Sequence, residues 1–187
     1  MGVGFFTKLK GFILDPVETF RAVKPERFTE GLKYVAILAA IYGLAAGLIL
    51  ALWVPAVLFL VVPVVVGLVL VILFFQGLWQ HIWVKLVGGR GGFDQTLNTV
   101  AYASTPTLLF GWVPVFGVLA GLWSLALAVL GLRELHDITI GRAIAAVLLG
   151  AFVILVAGLI FVGLAMWVWP TLQPEAIIES LVGLGGG

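Results

Sequence analysis

Long apolar runs constrain this chain more than any other feature. The run at 57–85 has no charged residue before Lys85, and comparable runs occupy 33–54 and 143–169. As a helix, about 20 residues cover the ~30 Å hydrocarbon core of a bilayer. The chain is 63% hydrophobic and 10% charged, whereas a soluble domain has about 25% charged residues. The sequence therefore predicts an all-α integral membrane protein.

Prolines, glycines and polar loops divide the apolar part into five predicted transmembrane helices, which would form one bundle. The predicted spans are 33–54, 57–85, 94–111, 115–132 and 143–169. The third and fourth spans are short, so 94–132 fits either two full crossings or a re-entrant hairpin. Trp112 at the turn favours full crossings, because tryptophan is enriched at membrane boundaries.

Short amphipathic helices are expected before the spans, and a short amphipathic tail after them. Residues 3–14 alternate apolar and basic side chains, which is typical of a helix lying in the membrane interface or packed on the protein's own cytoplasmic face. Asp15 as N-cap and Pro16 at the first position predict a second short helix. Residues 1–32 are therefore assigned to the cytoplasmic or interfacial side, and 170–187 to a short amphipathic tail outside the cell membrane.

The basic residues set the expected orientation. With five spans, every Lys and Arg falls on one side of the membrane. These are Lys8, Lys10, Arg21, Lys24, Arg27, Lys33, Lys85, Arg90, Arg133 and Arg142. Because basic residues are retained in the cytoplasm, the N-terminus is predicted to be cytoplasmic and the C-terminus outside.

Small residues repeat along two of the predicted spans. Gly43 and Gly47 form a Gly-x-x-x-Gly pattern on the first span, and Gly117 and Gly121 form another on the fourth. Small faces of this kind let helix backbones approach closely. Packing within the chain is favoured over a dimer interface, and a homo-oligomer is left open.

A glycine hinge with one arginine, 88–92, precedes the most polar predicted span. Asp94 is expected to cap that helix, and Ser104 and Thr105 are expected to satisfy backbone groups that Pro106 frees. The hinge itself is expected to be a flexible turn rather than an anion site. The candidate intramembrane polar site comprises Asn98, Tyr102, Ser104, Thr105, Pro106 and Ser124.

A second group of polar residues is expected to form a cytoplasmic contact surface. It comprises His81, Arg90, Asp94, Arg133, Glu134, His136, Asp137 and Arg142. The spacing of its histidines and carboxylates matches no common metal-ligand pattern. Salt bridges to Arg90, Arg133 and Arg142 are therefore expected instead of a metal site.

Several classes of function lack support in the sequence. The net charge of +1 gives no reason to expect nucleic acid as a partner, and the absence of cysteine excludes thiolate chemistry. No span has Asp, Glu, Lys or Arg at its centre, which argues against a proton-coupled carrier. Catalytic and cofactor-binding motifs are also missing. A non-enzymatic protein without a cofactor is predicted.

The order of several short motifs resembles the Yip family (Ypt/Rab-interacting proteins), in its prokaryotic branch. The resemblance covers about 14–164. Its motifs are Asp15-Pro16 with Phe20, Gly88-Gly89-x-Gly91-Gly92-Phe93, Ala101-Tyr102-Ala103 with Pro106, Trp123, Gly131-Leu132-x-Glu134-x-His136 and Arg142-Ala143. The resemblance implies five helical spans and a cytoplasmic N-terminus.

For eukaryotic members, the resemblance implies vesicle traffic, with binding to prenylated Rab-type GTPases and to partners in the same family. Those members carry a long polar N-terminal region that this chain lacks. The N-terminal part here is short and amphipathic, so lipid or another membrane protein is the expected partner. The leading prediction is a non-enzymatic Yip-type protein that binds lipid or protein partners and organises or shapes the membrane. The alternative is a small transporter or channel lined by polar residues of the third and fourth spans.

Overall fold

The computed structural model describes residues 3–54 and 58–168, and the regular structure in this part of the chain is helical. The predicted tail at 170–187 lies outside it. The helices are α1 (Phe5–Leu14), α2 (Pro16–Val23), α3 (Phe28–Ala51), α4 (Leu58–Leu86), α5 (Phe93–Ala103), α6 (Thr105–Phe110), α7 (Pro114–His136) and α8 (Ile140–Val168).

The chain divides into two compact units, Met1–Leu148 and Leu149–Gly187. The first unit contains α1 to α7 and the beginning of α8. Its main core joins α1, α2, α3, α5 and α7 through fully buried side chains such as Phe12, Phe20 and Tyr102. The described part of the second unit is the continuation of α8.

Four helices in the described residues are long and apolar enough to cross a membrane. These candidate spans are Phe28–Ala51, Phe59–Leu86, Val115–His136 and Ile140–Leu164. Four such helices fit a multi-pass membrane protein. The most exposed candidate span is Phe59–Leu86, where only 6% of the most apolar 18-residue stretch is buried.

The predicted third span, 94–111, is not one continuous helix. It is divided at Ser104 into α5 and α6, which have 11 and 6 residues. Pro106 causes the break, because it has no N–H to donate to the carbonyl of Tyr102. The Thr105 hydroxyl donates to that carbonyl at 2.6 Å, and the Ser104 hydroxyl donates to the carbonyl of Ala101 at 2.7 Å. The expected compensation by these two hydroxyls is therefore confirmed, whereas a fifth span is not.

The N-terminal helices begin where the sequence predicts. Asp15 caps α2, since its side chain accepts a hydrogen bond from the Glu18 N–H, and Pro16 occupies the first position. Helix α1 packs on the protein by burying Lys8 and Phe12. Phe6 on the same helix is 79% exposed, which leaves an apolar side chain for the membrane interface.

Two local expectations about polar residues were wrong. Helix α5 begins at Phe93 with Gly92 as its N-cap, so Asp94 lies inside the first turn. The predicted loop 133–142 is much shorter, because α7 continues to His136 and ends at Asp137, which has a left-handed φ of 52°. Basic side chains in the last turn suit the negative end of a helix, which explains why α7 extends through Arg133.

Gly43 and Gly131 mark close helix contacts within the chain. A Cβ on Gly43 would lie 3.2 Å from the Cα of Val62, so α3 and α4 pack nearly backbone to backbone there. A Cβ on Gly131 would lie 2.8 Å from the ring of Phe20. Gly121, in contrast, has no group of the described residues within 4 Å of such a Cβ, so the small-residue face of α7 is only partly used for packing.

Candidate functional site

A buried polar cluster connects the N-terminal helices to α5. Lys8 Nζ lies 2.7 Å from Glu26 Oε2, and the two side chains are 4% and 5% exposed. The Tyr102 hydroxyl donates to Glu26 Oε2 at 2.5 Å, and Asn98 Nδ2 donates to the backbone carbonyl of Glu26 at 2.9 Å. We call Lys8, Glu26, Asn98 and Tyr102 the N-terminal junction. Glu26, in the connection between α2 and α3, is its centre.

The position of Lys8 in α1 explains why a lysine enters the core. Residues three or four apart share one face of a helix, so Lys8 lies on the same face as Phe5 and Phe12. Phe12 is fully buried, and Lys8 follows it inward. A buried ammonium group requires an anionic partner, which Glu26 provides. Glu26 Oε1 also accepts a hydrogen bond from the Val3 N–H at 2.9 Å.

Tyr102 is the aromatic centre of the junction. Phe12 stacks on its ring at a centroid distance of 5.0 Å, and Tyr34 meets the ring edge-on at 5.4 Å. Lys8 Nζ lies 5.2 Å from the ring centroid and donates to the Tyr102 hydroxyl at 3.2 Å. Burial, with the neighbouring Glu26 carboxylate, raises the pKa of Tyr102 above its ordinary value. Tyr102 therefore remains a neutral hydrogen-bond donor.

The predicted intramembrane polar residues do not form one group. Asn98 and Tyr102 belong to the N-terminal junction, and Thr105 lies beside it, with its Oγ1 3.0 Å from the Tyr34 hydroxyl. Pro106 is buried in α6. Ser124 lies elsewhere, with its Oγ 2.7 Å from the Thr107 hydroxyl on an exposed part of α6 and α7.

Two histidines of the predicted contact surface are bridged by Thr96. His81 Nδ1 lies 2.7 Å from Thr96 Oγ1, which lies 3.1 Å from His136 Nε2. The backbone carbonyl of His136 accepts a hydrogen bond from the Arg90 N–H at 3.0 Å. A Cβ on Gly91 would lie 2.8 Å from His136 Nδ1, so the hinge needs glycine for close approach. The hinge is therefore a bonded turn that packs against the end of α7.

Helix α2 pairs with the end of α7 through ion pairs. Arg21 Nε lies 2.9 Å from Glu134 Oε2, and Lys24 Nζ lies 2.6 Å from Asp137 Oδ1. The hydrogen bond that Arg21 donates to the Glu134 carboxylate raises the pKa of Arg21. The expected pair of Glu134 with Arg133 is present at 2.5 Å. The expected pairing of Asp137 was wrong, because its partner comes from α2 rather than from its own loop.

Most polar groups of the junction, the histidine bridge and the α2–α7 ion pairs bond within the protein. Asn98 Oδ1 and His136 Nδ1 are buried without a hydrogen-bond partner among the described residues. In residues 3–54 and 58–168, no three His, Cys, Asp or Glu side chains lie close enough together to hold a metal ion. Among the described residues, Arg90, Asp94 and Arg142 make no ion pair. Chemically, this arrangement fixes the N-terminal helices against α5 and α7.

Sequence reasoning missed Lys8, Glu26, Tyr34 and Thr96. Lys8 gave one usable signal, because its spacing from Phe5 and Phe12 places a charge on the apolar face of a short helix. Glu26 lies between Pro25 and Arg27 in a polar stretch, where a surface position is the default. Nothing local indicates that its side chain turns inward to α5.

Comparison with known proteins gives one match. Searches of curated proteins and of solved structures found no similar protein. A family model described as the Yip1 domain matches residues 10–170. Because this match covers most of the 187 residues, the chain belongs to the Yip1 domain family.

Proposed function

We propose that this protein is non-enzymatic and binds lipid or other membrane proteins, and thereby organises the membrane around it. The observation that carries this proposal is the apolar surface of α4. Only 6% of the most apolar 18-residue stretch of this helix is buried. Phe59, Leu60 and Phe75 on this helix are 83%, 66% and 62% exposed. Such a surface requires lipid or another helix against it.

The polar groups support the same proposal. A reactive site needs polar groups that point toward a substrate, but most of the candidates here bond to one another. The Glu26 carboxylate forms an ion pair with Lys8 and accepts a hydrogen bond from Tyr102. The Thr96 hydroxyl forms hydrogen bonds with both His81 and His136. Bonding of this kind builds a rigid body that presents surfaces to partners.

The orientation in this proposal places the N-terminus in the cytoplasm. The α2–α7 ion pairs and the Arg90–His136 backbone bond bring the N-terminal helices and both polar loops together. Residues 1–33 and the polar segments 85–90 and 133–142 contain all the Lys and Arg of the chain. We call the surface that the N-terminal helices and the two polar loops form the joint surface. Since basic residues are retained on the cytoplasmic side, the joint surface would face the cytoplasm.

Native mass spectrometry of protein released from its own membranes tests the proposal. We expect discrete adducts of lipid or protein mass, at a defined stoichiometry, on the 20.0 kDa chain. The expected adducts persist when the detergent is exchanged, because a matched apolar surface stays covered. A bare chain after mild exchange would contradict the proposal. As the control, an unrelated single-span protein is released from its membranes and measured in the same way.

The transport alternative predicts a different result. Asn98, Tyr102 and Thr105 are at most 1% exposed and bond within the protein, which favours a closed structure. We therefore expect ion flux from liposomes that contain the protein to equal flux from protein-free liposomes. Flux above that level that is lost in Asn98→Leu but retained in Ser124→Ala would support transport through this region instead.

A further inference from the structure

Three exposed cations near the glycine hinge have no acidic partner among the described residues. Lys85 Nζ donates to the carbonyl of Gly89 at 3.3 Å. A Cβ on Gly88 would lie 3.5 Å from Arg142 Nη1. The charged groups of Lys85 and Arg142 therefore lie next to two consecutive glycines, Gly89 and Gly88. Arg90, the next residue of the hinge, adds a third charge.

We propose that Lys85 and Arg142 bind the phosphate of an anionic lipid headgroup. This names the ligand class for the lipid binding proposed above, and it rests on that function. Arginine and lysine are the side chains that proteins use for phosphate. Lys8, Arg21 and Lys24, in contrast, already have carboxylate partners.

The surroundings favour a lipid as the source of the phosphate. Lys85 lies at the end of the candidate span Phe59–Leu86, and Arg142 lies at the beginning of Ile140–Leu164. Leu86 and Ile140 are 69% and 49% exposed, so each cation is next to an apolar side chain that faces outward. A headgroup phosphate and its acyl chains match that combination, because basic side chains at helix ends reach the interface.

The hinge amides do not hold the phosphate in this proposal. The N–H groups of Gly88 and Gly89 donate to the carbonyls of Lys85 and Val84, at 3.0 and 2.8 Å. The Arg90 N–H donates to His136. Binding therefore depends on the charged side chains rather than on these three amides. Asp94 is the nearest carboxylate along the chain after the hinge, and it makes no ion pair with any of the three cations.

The test measures lipid retention by the full chain. Purified protein in neutral detergent is titrated with phosphatidylglycerol or phosphatidylcholine, and the bound fraction is read by native mass spectrometry. We expect the wild-type chain to prefer phosphatidylglycerol by on the order of tenfold, since each basic residue adds a substantial attraction to anionic lipid. The variant Lys85→Gln/Arg142→Gln should lose this preference. The matched control Lys10→Gln/Arg27→Gln removes two exposed cations elsewhere and should keep it.

Each arm has an outcome that overturns the inference. If Lys85→Gln/Arg142→Gln keeps the preference for phosphatidylglycerol and the wild-type melting temperature, these two residues do not form the site. Displacement of the lipid by an equal concentration of inorganic phosphate would overturn the assignment to a lipid. Equal retention of both lipids by the wild-type chain would remove the inference but leave the proposed function standing. If no lipid or protein is retained at all, the proposed function fails as well.

Discussion

Replacement of Glu26 by alanine should lower the free energy of unfolding by about 3–5 kcal/mol, the usual cost of removing one partner from a buried ion pair. Lys8 would remain in the core without its carboxylate partner. Tyr102 and the Val3 N–H would also lose the acceptor they share. Denaturation in mixed detergent micelles, followed by tryptophan fluorescence, measures the loss.

The control for this prediction is Glu18→Ala, which removes a carboxylate from an exposed pair with Arg21. Its expected effect is below about 1 kcal/mol, because exposed ion pairs contribute little. The double variant Lys8→Met/Glu26→Gln removes both charges but leaves an acceptor for Tyr102. It should recover most of the loss. Equal effects of Glu26→Ala and Glu18→Ala would show that the junction does not hold α1 in place.

The apolar runs predict the membrane class and most helix positions, because span length and hydrophobicity are local properties. The first predicted span, 33–54, corresponds to Phe28–Ala51, and the last, 143–169, corresponds to Ile140–Val168. Boundaries differ by a few residues, since charged residues such as Glu30 and Lys33 pair along the helix and extend it beyond the apolar part.

The polar cluster was less predictable, because it depends on contacts between distant parts of the chain. Tyr102 is 76 residues from Glu26, and no local pattern links them. The same holds for Asp137, whose partner Lys24 is 113 residues away. The break between α5 and α6 had a local cause in Pro106, but its consequence required the positions of the Ser104 and Thr105 hydroxyls. Hydrophobic patterns determine the helices, whereas the pairings of buried polar groups follow from packing.

Replacement of Gly131 by alanine should destabilise the protein by about 1–3 kcal/mol through overpacking. The new Cβ would lie 2.8 Å from the Phe20 ring and 2.8 Å from Thr99 Cγ2. Neither neighbour can move easily. Phe20 is fully buried and packs against Phe12 at a centroid distance of 4.8 Å. The Thr99 hydroxyl donates to the carbonyl of Gln95 at 2.9 Å, which holds its rotamer.

Gly121 on the same helix provides the matched control. Gly121→Ala meets no group within 4 Å in the part of the chain that the structure describes, so it should stabilise α7 by up to about 1 kcal/mol through helix propensity alone. The same alanine is therefore expected to act in opposite directions ten residues apart, which thermal unfolding in detergent would measure. Adding Phe20→Leu to Gly131→Ala should relieve the clash and recover part of the loss. If both alanines shift the melting temperature in the same direction, the close packing of α2, α5 and α7 at Gly131 is wrong, and with it the positions of the residues that this contact holds beside the N-terminal junction.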